Sequence, residues 1–314
     1  MAEVVLRCVF LGLGNMGTAM CRRLSSEGVK VLAWNRSVEK ANALAAEWPG
    51  VSVAETAEDA IRHPDWTSAP VLVCLPNYGS TGDIVFPLKD LKGRCLLSLC
   101  SGDPDQAREF YAKLKEHTDI DTYVDGCYAG SPSVCQAGKG LVMVSCERPQ
   151  AELATRSEAA GVLEIAAIMG KLVFTGTKVG SSKALDFAVV DFYMINMLGF
   201  LSGLGMLESE GVDPELLLEQ MEFRLPTFPG QFRSNLPNMN AKTYDKDIAA
   251  TVATWKAFFG DRIPYLERNG LSTKVPGFVT SILSDPKVAG PDGEFLQHDA
   301  NRMQELLRFP QKPE

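Results

Sequence analysis

The pattern of hydrophobic and polar positions changes about halfway along the chain. Up to about residue 175, short apolar runs rich in valine, leucine and cysteine alternate with segments that have one apolar face. Such alternation predicts strands and helices in turn, as in a doubly wound, mainly parallel sheet. From residue 180 onward the apolar positions recur at helical spacing. The chain is therefore predicted to form an α/β domain followed by an all-α domain.

Strands are predicted where apolar runs are bounded by turn residues. They are Val4–Leu11, Val29–Trp34, Val51–Val53, Val71–Leu75, Cys95–Cys100, Tyr123–Tyr128 and Leu141–Ser145. Helices of the first half are predicted at 18–28, 38–47, 80–86, 104–117 and 149–168. Those of the second half are predicted at 214–223, 244–259 (continuing to 268 after a break near Gly260), 276–284 and 293–308. Because three prolines interrupt Leu225–Met239, that segment is predicted to be rich in loops.

The segment Gly180–Gly211 lacks proline and is apolar on nearly every side. As one helix it would be about 48 Å long, and a helix that is apolar all round is normally buried all round. We therefore expect a second domain and a second chain to pack on it. Because Asp186, Asp191 and an asparagine lie inside the segment, a buried helix is favoured over a membrane span.

The length of the chain predicts two domains joined by this helix. The predicted boundaries are 1–178 for the nucleotide-binding domain, 179–211 for the interdomain helix and 212–314 for a helical dimerisation and substrate domain. A net charge of -8 and a pI near 5.1 argue against nucleic acid or an anionic membrane as a partner.

The cysteines indicate a reducing compartment. All eight lie between Cys8 and Cys146, none forms a CxxC pair, and several lie in apolar strand-like runs. This usage is typical of free, buried thiols rather than of a disulfide framework. No secretory signal pattern is apparent at the start of the sequence, so a cytoplasmic location is expected.

A glycine motif follows the first predicted strand directly. The sequence GLGNMG at 12–17 lies between an apolar strand and an amphipathic helix, which is the context of a dinucleotide-binding Rossmann fold. Gly12 permits a tight turn, Gly14 lets the backbone approach a pyrophosphate, and Gly17 lets the helix pack on the strand. The helix N-terminus would then face the phosphates.

The residues after the second strand predict NADPH rather than NADH. An NAD site usually has an acidic residue here for the ribose 2′-hydroxyl, whereas this chain has Asn35, Arg36 and Ser37, followed by Lys40. A guanidinium and an ammonium would bind a 2′-phosphate through charge-assisted hydrogen bonds. Turns after two later strands are also expected to line the cofactor. The residues predicted to bind it are Gly12, Leu13, Gly14, Asn15, Met16, Gly17, Asn35, Arg36, Ser37, Lys40, Cys74, Leu75, Pro76, Ser101 and Gly102.

Over nearly its whole length the sequence resembles the β-hydroxyacid dehydrogenase superfamily, and within it the imine reductases and reductive aminases. The motifs are GLGNMG at 12–17, WNRSVEKA at 34–41, SGDPDQAR at 101–108 and GSSKALDFAVV at 180–190. The resemblance implies a Rossmann domain, a long interdomain helix, a helical C-terminal domain and a domain-swapped homodimer whose second subunit completes the cleft.

Two departures separate this sequence from the hydroxyacid dehydrogenases of that superfamily. Their catalytic lysine lies six residues after a glycine that matches Gly180, where this chain has Asp186. Their substrate-binding serine corresponds to Ala129. Imine reductases are similar to this sequence at the aspartate. Lys183, one helical turn before Asp186, is an alternative candidate for the site.

Reduction of an imine needs a hydride on carbon and a proton on nitrogen. A carboxylate can stabilise a cationic iminium, and when protonated it can donate a proton. Burial in an apolar cleft should raise the pKa of Asp186. Tyr193 lies seven residues further on the same helical face and could relay a proton. Asp186 and Tyr193 are therefore the predicted catalytic residues, and no metal site is expected.

Three functions follow as hypotheses. The first is NADPH-dependent reduction of C=N bonds, with Asp186 as proton donor or iminium stabiliser. The second is reduction of a short aldehyde or oxidation of a β-hydroxyacid, with Lys183 recruited to the site. The third is a catalytically silent NADPH-binding module. The physiological substrate, the stereoselectivity and the choice between imine reduction and full reductive amination stay open at this stage.

Overall fold

The computed structural model describes residues 5–159 and 161–308, apart from the side chain of Ser157. Among them it contains eight strands in a single sheet. The strands are β1 (Arg7–Leu11), β2 (Lys30–Trp34), β3 (Val51–Val53), β4 (Val71–Val73), β5 (Cys95–Ser98), β6 (Thr122–Ala129), β7 (Gly140–Cys146) and β8 (Gly170–Phe174). The predicted start of the first strand at Val4 and the tail 309–314 lie outside the described residues.

Helices make up the rest of the regular structure. In the first half they are α1 (Asn15–Ser26), α2 (Val38–Glu47), α3 (Ala57–Arg62), α4 (Tyr78–Val85), α5 (Pro104–His117), α6 (Pro132–Gln136), α7 (Gln150–Leu153) and α8 (Val162–Met169). From residue 181 they are α9 (Ser181–Ser209), α10 (Glu215–Arg224), α11 (Phe228–Ala241), α12 (Val252–Gly260), α13 (Arg262–Arg268), α14 (Lys274–Leu283), α15 (Pro286–Ala289) and α16 (Gln304–Leu307). Short 3-10 helices occur at Pro64–Trp66, Ser157–Ala159, Leu225–Thr227 and Ala300–Met303.

The order of the strands creates the place where a ligand binds in such a sheet. The order is β3-β2-β1-β4-β5-β6-β7-β8, and every pair is parallel except β6 with β7. The strand order reverses between the neighbouring strands β1 and β4. Ligands of doubly wound sheets bind outside the carboxyl ends of the strands at such a reversal. The predicted doubly wound, mainly parallel α/β fold is therefore confirmed.

Two apolar layers cover the faces of the sheet. One centres on Phe10 and packs α1, α2 and α8 against the strands. The other centres on Leu11 and Phe110 and packs α3, α4 and α5 on the opposite face. The strands are buried on both faces, which explains why they appear in the sequence as continuous apolar runs.

In the first half, the predicted strands and all but one of the predicted helices are present, and three short elements were not predicted. Helices α3 and α6 and strand β8 have only five or six residues each, too few for a clear periodic pattern. The helix predicted at 149–168 is wrong as one element. It divides into α7, a 3-10 turn and α8, and Gly161 adopts the left-handed φ of 77° where α8 begins.

In the second half, the loop predicted at Leu225–Met239 is wrong, because most of it is helix α11. Pro226 and Pro229 occupy first-turn positions of their helices, where a missing N–H costs no intrahelical hydrogen bond. Of the three prolines in this segment, Pro237 is the one inside a helix.

The helix predicted from 244 is also wrong at its start, since α12 begins at Val252. Tertiary contacts hold the residues before it in an irregular conformation. The backbone N–H of Asp299 donates to the Tyr244 carbonyl (2.7 Å), and the Asp299 carboxylate accepts from the N–H of Ala249 (2.9 Å). The helix predicted at 293–308 is likewise shortened to a 3-10 turn followed by α16.

The long helix predicted at Gly180–Gly211 is confirmed as α9. The chain divides into two compact units, Met1–Phe192 and Tyr193–Glu314, and the division falls within this helix. Within the chain α9 is not buried, because only Ser182 and Lys183 are inaccessible. By length and composition alone α9 could cross a membrane, although Asp186 and Asp191 lie within it.

Candidate functional site

A cleft of about 870 Å³ opens at the carboxyl ends of the parallel strands. Its walls come from the ends of β1, β2, β4 and β5 with the loops and helix starts that follow them, from the end of β6, and from the first turns of α9. The lining comprises Gly12, Leu13, Gly14, Asn15, Met16, Gly17, Met20, Trp34, Asn35, Arg36, Ser37, Lys40, Cys74, Leu75, Pro76, Ser80, Asp83, Ile84, Leu99, Cys100, Ser101, Cys127, Tyr128 and Asp186.

The glycine loop is shaped by close backbone contacts. Gly12 has a φ of 101°, and a Cβ there would lie 2.4 Å from the Cys74 carbonyl oxygen. A Cβ at Gly17 would lie 2.0 Å from the carbonyl oxygen of Gly12. By contrast, nothing lies within 4 Å of the place that a Cβ of Gly14 would occupy. The loop therefore packs tightly on the sheet and leaves open space over Gly14, where a ligand's phosphates can approach the start of α1.

Asn35 connects the end of β2 with the glycine loop. Its side-chain oxygen accepts from the Leu13 N–H (2.9 Å), and its side-chain nitrogen donates to the Ser37 carbonyl (3.0 Å). The Ser37 hydroxyl donates to the carboxylate of Glu39 (2.8 Å). Arg36 and Lys40 are exposed at this end of the cleft. They supply positive charge next to the loop that Asn35 stabilises.

The two later turns contribute unequally to the lining. Cys74, Leu75 and Pro76 line the cleft, as does Ser101. Gly102 is not among the lining residues. A Cβ at Gly102 would lie 2.5 Å from the Tyr78 ring, so this glycine serves close packing.

Asp186 lines the cleft from the second turn of α9. Its side chain is half-buried. Burial raises the pKa of Asp186 above the usual range of an aspartate, and the ammonium of Lys183 opposes that rise. The lining of the described cleft contains two cations, Arg36 and Lys40, and both belong to the β2 end. The part of the lining that comes from β5, β6 and α9 thus contains no cation.

Lys183 does not line the cleft. Its side chain is 1 % exposed, and its ammonium donates to the carbonyl oxygens of Cys100 (2.7 Å) and Gly126 (2.5 Å). The alternative that placed Lys183 in the site is therefore not supported by its position. Tyr193 is also absent from this lining, and its side chain is 59 % exposed.

Two residues that sequence reasoning missed lie near Asp186 in the lining. Cys127 and Tyr128 lie near the end of strand β6. The Cys127 thiol donates to the Ser182 carbonyl at the start of α9 (3.4 Å). Burial raises the pKa of the Cys127 thiol to about 12, so it stays protonated at neutral pH. The Tyr128 hydroxyl donates to the Met169 carbonyl (3.4 Å), and burial raises the pKa of this phenol. Their position at the carboxyl end of a central strand was the available signal.

The sheet order and the glycine loop in the cleft together define a Rossmann-type nucleotide-binding domain. Residues 7–167 match the family described as the NAD binding domain of 6-phosphogluconate dehydrogenase. That match spans half of the chain, and the chain belongs to this family of NAD(P)-binding oxidoreductases.

Two of the similar proteins are reductases. Glyoxylate/succinic semialdehyde reductase 1 of Arabidopsis thaliana is 27% identical over 243 residues, which cover 75% of this chain and 77% of the relative. An NADPH-dependent reductive aminase of Aspergillus oryzae is 25% identical over 199 residues, covering 63% and 62%.

Solved structures share the predicted fold over nearly the whole chain. A reductive aminase from Aspergillus terreus in complex with NADPH and ethyl levulinate matches with a TM-score of 0.79 at 20% identity. The match covers 97% of this chain and 100% of that one. At this identity the likeness establishes the fold, including the helical C-terminal half. The predicted resemblance to this group is confirmed at that level.

Proposed function

We propose that this protein is an NADPH-dependent reductase of C=N bonds, an imine reductase or a reductive aminase. The observation that carries the proposal is Asp186, a half-buried carboxylate in the cleft lining, where β5, β6 and α9 contribute no cation. The likeness to a reductive aminase over nearly the whole chain supports the same reading.

The preference for NADPH is argued from charge. Arg36 and Lys40 are exposed at the end of β2, where the ribose of the adenosine is held in Rossmann folds. Residue 35 is an asparagine, so this position offers no carboxylate to the ribose hydroxyls. Its amide is hydrogen-bonded to the Leu13 N–H and the Ser37 carbonyl. A guanidinium and an ammonium bind a 2′-phosphate and offer less to a hydroxyl.

The role of Asp186 follows from the charge of the substrate. A dihydronicotinamide, when bound, supplies a hydride to an electrophilic carbon. An iminium carries positive charge before reduction, and a carboxylate in a poorly solvated site stabilises it more strongly than water would. Because burial raises the pKa of Asp186, this group can also hold a proton for the nitrogen. A lysine at this place would instead repel the iminium and favour a developing alkoxide.

Replacement of Asp186 tests the proposal. In Asp186→Ala, kcat for a cyclic imine such as a pyrroline should fall by a factor of about 100 or more, while the Kd of NADPH changes less than twofold. Steady-state kinetics and fluorescence titration of NADPH measure the two quantities.

Asp191→Ala is the matched control, because Asp191 is an exposed aspartate on the same helix outside the cleft lining. It should retain wild-type turnover. Unchanged kcat in Asp186→Ala, or absence of turnover by the wild type on imines and on ketone–amine pairs alike, would refute the proposal.

Tyr193 stays a predicted relay residue rather than a cleft residue of this chain. Tyr193→Phe removes only the hydroxyl, so we expect a smaller loss of kcat than in Asp186→Ala.

Reduction of a short aldehyde is the second candidate. The identity to glyoxylate/succinic semialdehyde reductase 1 favours it. It requires a group that stabilises an alkoxide, and Lys183 would have to leave its buried position to supply one. Glyoxylate, succinic semialdehyde and a panel of 3-hydroxy acids should therefore be assayed beside the imines. A protein that binds NADPH tightly and turns over none of these compounds would be the silent module.

We also propose that the protein is a cytoplasmic homodimer. All eight cysteines are free, as expected in a reducing compartment. Apolar side chains along α9 stay exposed in a single chain, among them Phe192 (53 %), Ile195 (57 %) and Leu201 (55 %). A second copy of this chain is the occupant that the resemblance implies for this surface.

A further inference from the structure

A buried cation lies one helical turn before Asp186. The Lys183 side chain is 1 % exposed, although ammonium groups are among the groups least often buried. Its ammonium donates to the carbonyl oxygens of Cys100 and Gly126. These carbonyls belong to the segments that leave β5 and run along β6. Lys183 thus joins the first turn of α9 to two neighbouring strands of the sheet.

The countercharge is Asp125, which is completely buried. Its carboxylate lies 3.8 Å from the Lys183 ammonium and accepts hydrogen bonds from Ser182 (2.6 Å), Tyr123 (3.2 Å) and Tyr78. Every donor around this carboxylate is a neighbouring side chain of the same buried cluster. The charge pair is therefore compensated on both sides and held in a single arrangement.

Stability alone does not explain such a pair. Removing two charges from water costs several kcal/mol per ion, and an apolar pair of similar volume is often as stable or more stable. The pair does, however, hold the first turn of α9, which precedes Asp186, against the segment after β5 and against β6, where Cys100 and Cys127 line the cleft.

We propose that Lys183 is a positioning residue for Asp186: its ammonium, balanced by Asp125, fixes the first turn of α9 and thereby the place of the Asp186 carboxylate on the cleft surface. The inference rests on the proposed role of Asp186. It assigns the lysine to the second layer of the site, behind the cleft surface.

The groups that face this pair give the direction of the effect. Burial raises the pKa of Asp186 and Lys183 opposes the rise. Four other titratable groups face the pair: Tyr123 and Cys127 on β6, Cys100 after β5, and Tyr78 on α4. Burial raises the pKa of each of them. All four are neutral at pH 7, so Lys183 and Asp125 are the charges that act on Asp186 from this side.

Loss of the ammonium charge should therefore raise the titration midpoint of Asp186. Lys183→Gln keeps donors for the two carbonyl groups and removes the charge. We expect the midpoint to rise by about one pH unit, the low end of the effect of a close opposite charge. The measurement is 13C NMR of aspartate carboxyl carbons between pH 3 and 8, with the Asp186 signal assigned from its loss in Asp186→Asn.

The pH profile of kcat/KM on the cyclic imine should move by the same amount in the same direction. A merely structural role would lower the rate at every pH and leave the midpoint in place. Lys178→Gln is the matched control, since Lys178 is an exposed lysine before α9, and it should leave the midpoint unchanged.

If Lys183→Gln does not fold, Lys183→Gln/Asp125→Asn removes both charges, and a smaller rise in the same direction is expected, because loss of the Asp125 charge partly offsets loss of the ammonium. An unchanged or lowered midpoint overturns the proposal, as does loss of the fold in both variants, which would assign the pair to stability. The NMR midpoint does not depend on turnover. A raised midpoint in a protein inactive on imines would leave this inference standing and refute the proposed function.

Discussion

At the residue scale, the cleft lining contains charges of both signs. Arg36 and Lys40 supply positive charge near the end of β2, and Asp186 supplies a carboxylate beside β6. The side chains of Asn35 and Lys183 are hydrogen-bonded to neighbouring protein groups. Their side chains act by fixing the groups that face the cleft.

Arg36→Ala should reduce the preference for NADPH over NADH. A charge-assisted hydrogen bond contributes roughly 1.5–3 kcal/mol, so kcat/KM for NADPH should fall by a factor of about 10 to 100. The value for NADH should change less than threefold, because NADH lacks the 2′-phosphate. Parallel assays with both cofactors check this.

Arg62→Ala serves as the control, because Arg62 is an exposed arginine on α3 outside the cleft lining. A preference for NADPH that survives Arg36→Ala would show that another group binds the phosphate.

At the element scale, helix starts decide where the cleft-lining loops end. Helix α5 begins with a capping box: the Asp103 carboxylate accepts from the N–H groups of Asp105 and Gln106 (both 2.8 Å), and the Gln106 side chain accepts from the Asp103 N–H (3.0 Å). Pro104 follows at the first helical position. The turn after β5, with Ser101 in the cleft, is therefore closed by local contacts.

Asp103→Ala should lower the free energy of unfolding by about 1 kcal/mol, the usual cost of a lost N-cap. Urea unfolding followed by circular dichroism measures the change. Asp103→Asn keeps an oxygen acceptor and should lose much less. Equal losses in the two variants would mean that the cap contributes little.

At the scale of the whole molecule, the unusual feature is the exposure of α9 in a single chain. A soluble protein seldom leaves so many large apolar side chains of one helix accessible. We expect light scattering at micromolar concentration to give about twice the mass of one chain. A monomer at that concentration would contradict the proposed assembly.

Leu201→Glu should shift this equilibrium towards the monomer, because it would bury a charge at the expected interface. Val5→Glu is a matched control, since Val5 is similarly exposed (51 %) but lies before β1, outside α9. It should leave the mass of the particle unchanged. Dissociation in both variants would indicate a general loss of folding.

The sequence by itself determined the Rossmann fold, the glycine loop, the cleft-lining residues of β1 and β2, and the long helix with Asp186. These features depend on local requirements: apolar runs for buried strands, glycine where a Cβ would meet Cys74 or Gly12 at 2.0–2.4 Å, and unbroken helical spacing through α9. Local physics leaves a readable pattern in neighbouring positions.

Only the tertiary structure decided the surroundings of Asp186 and the path of the second half. Lys183 lies on α9, yet its partners Cys100, Asp125 and Gly126 are 57 or more residues away in sequence, and no spacing rule connects them. The irregular segment before α12 likewise depends on Asp299, some 50 residues further along. Such contacts form when distant elements pack together, so their energy leaves no periodic signal in the sequence.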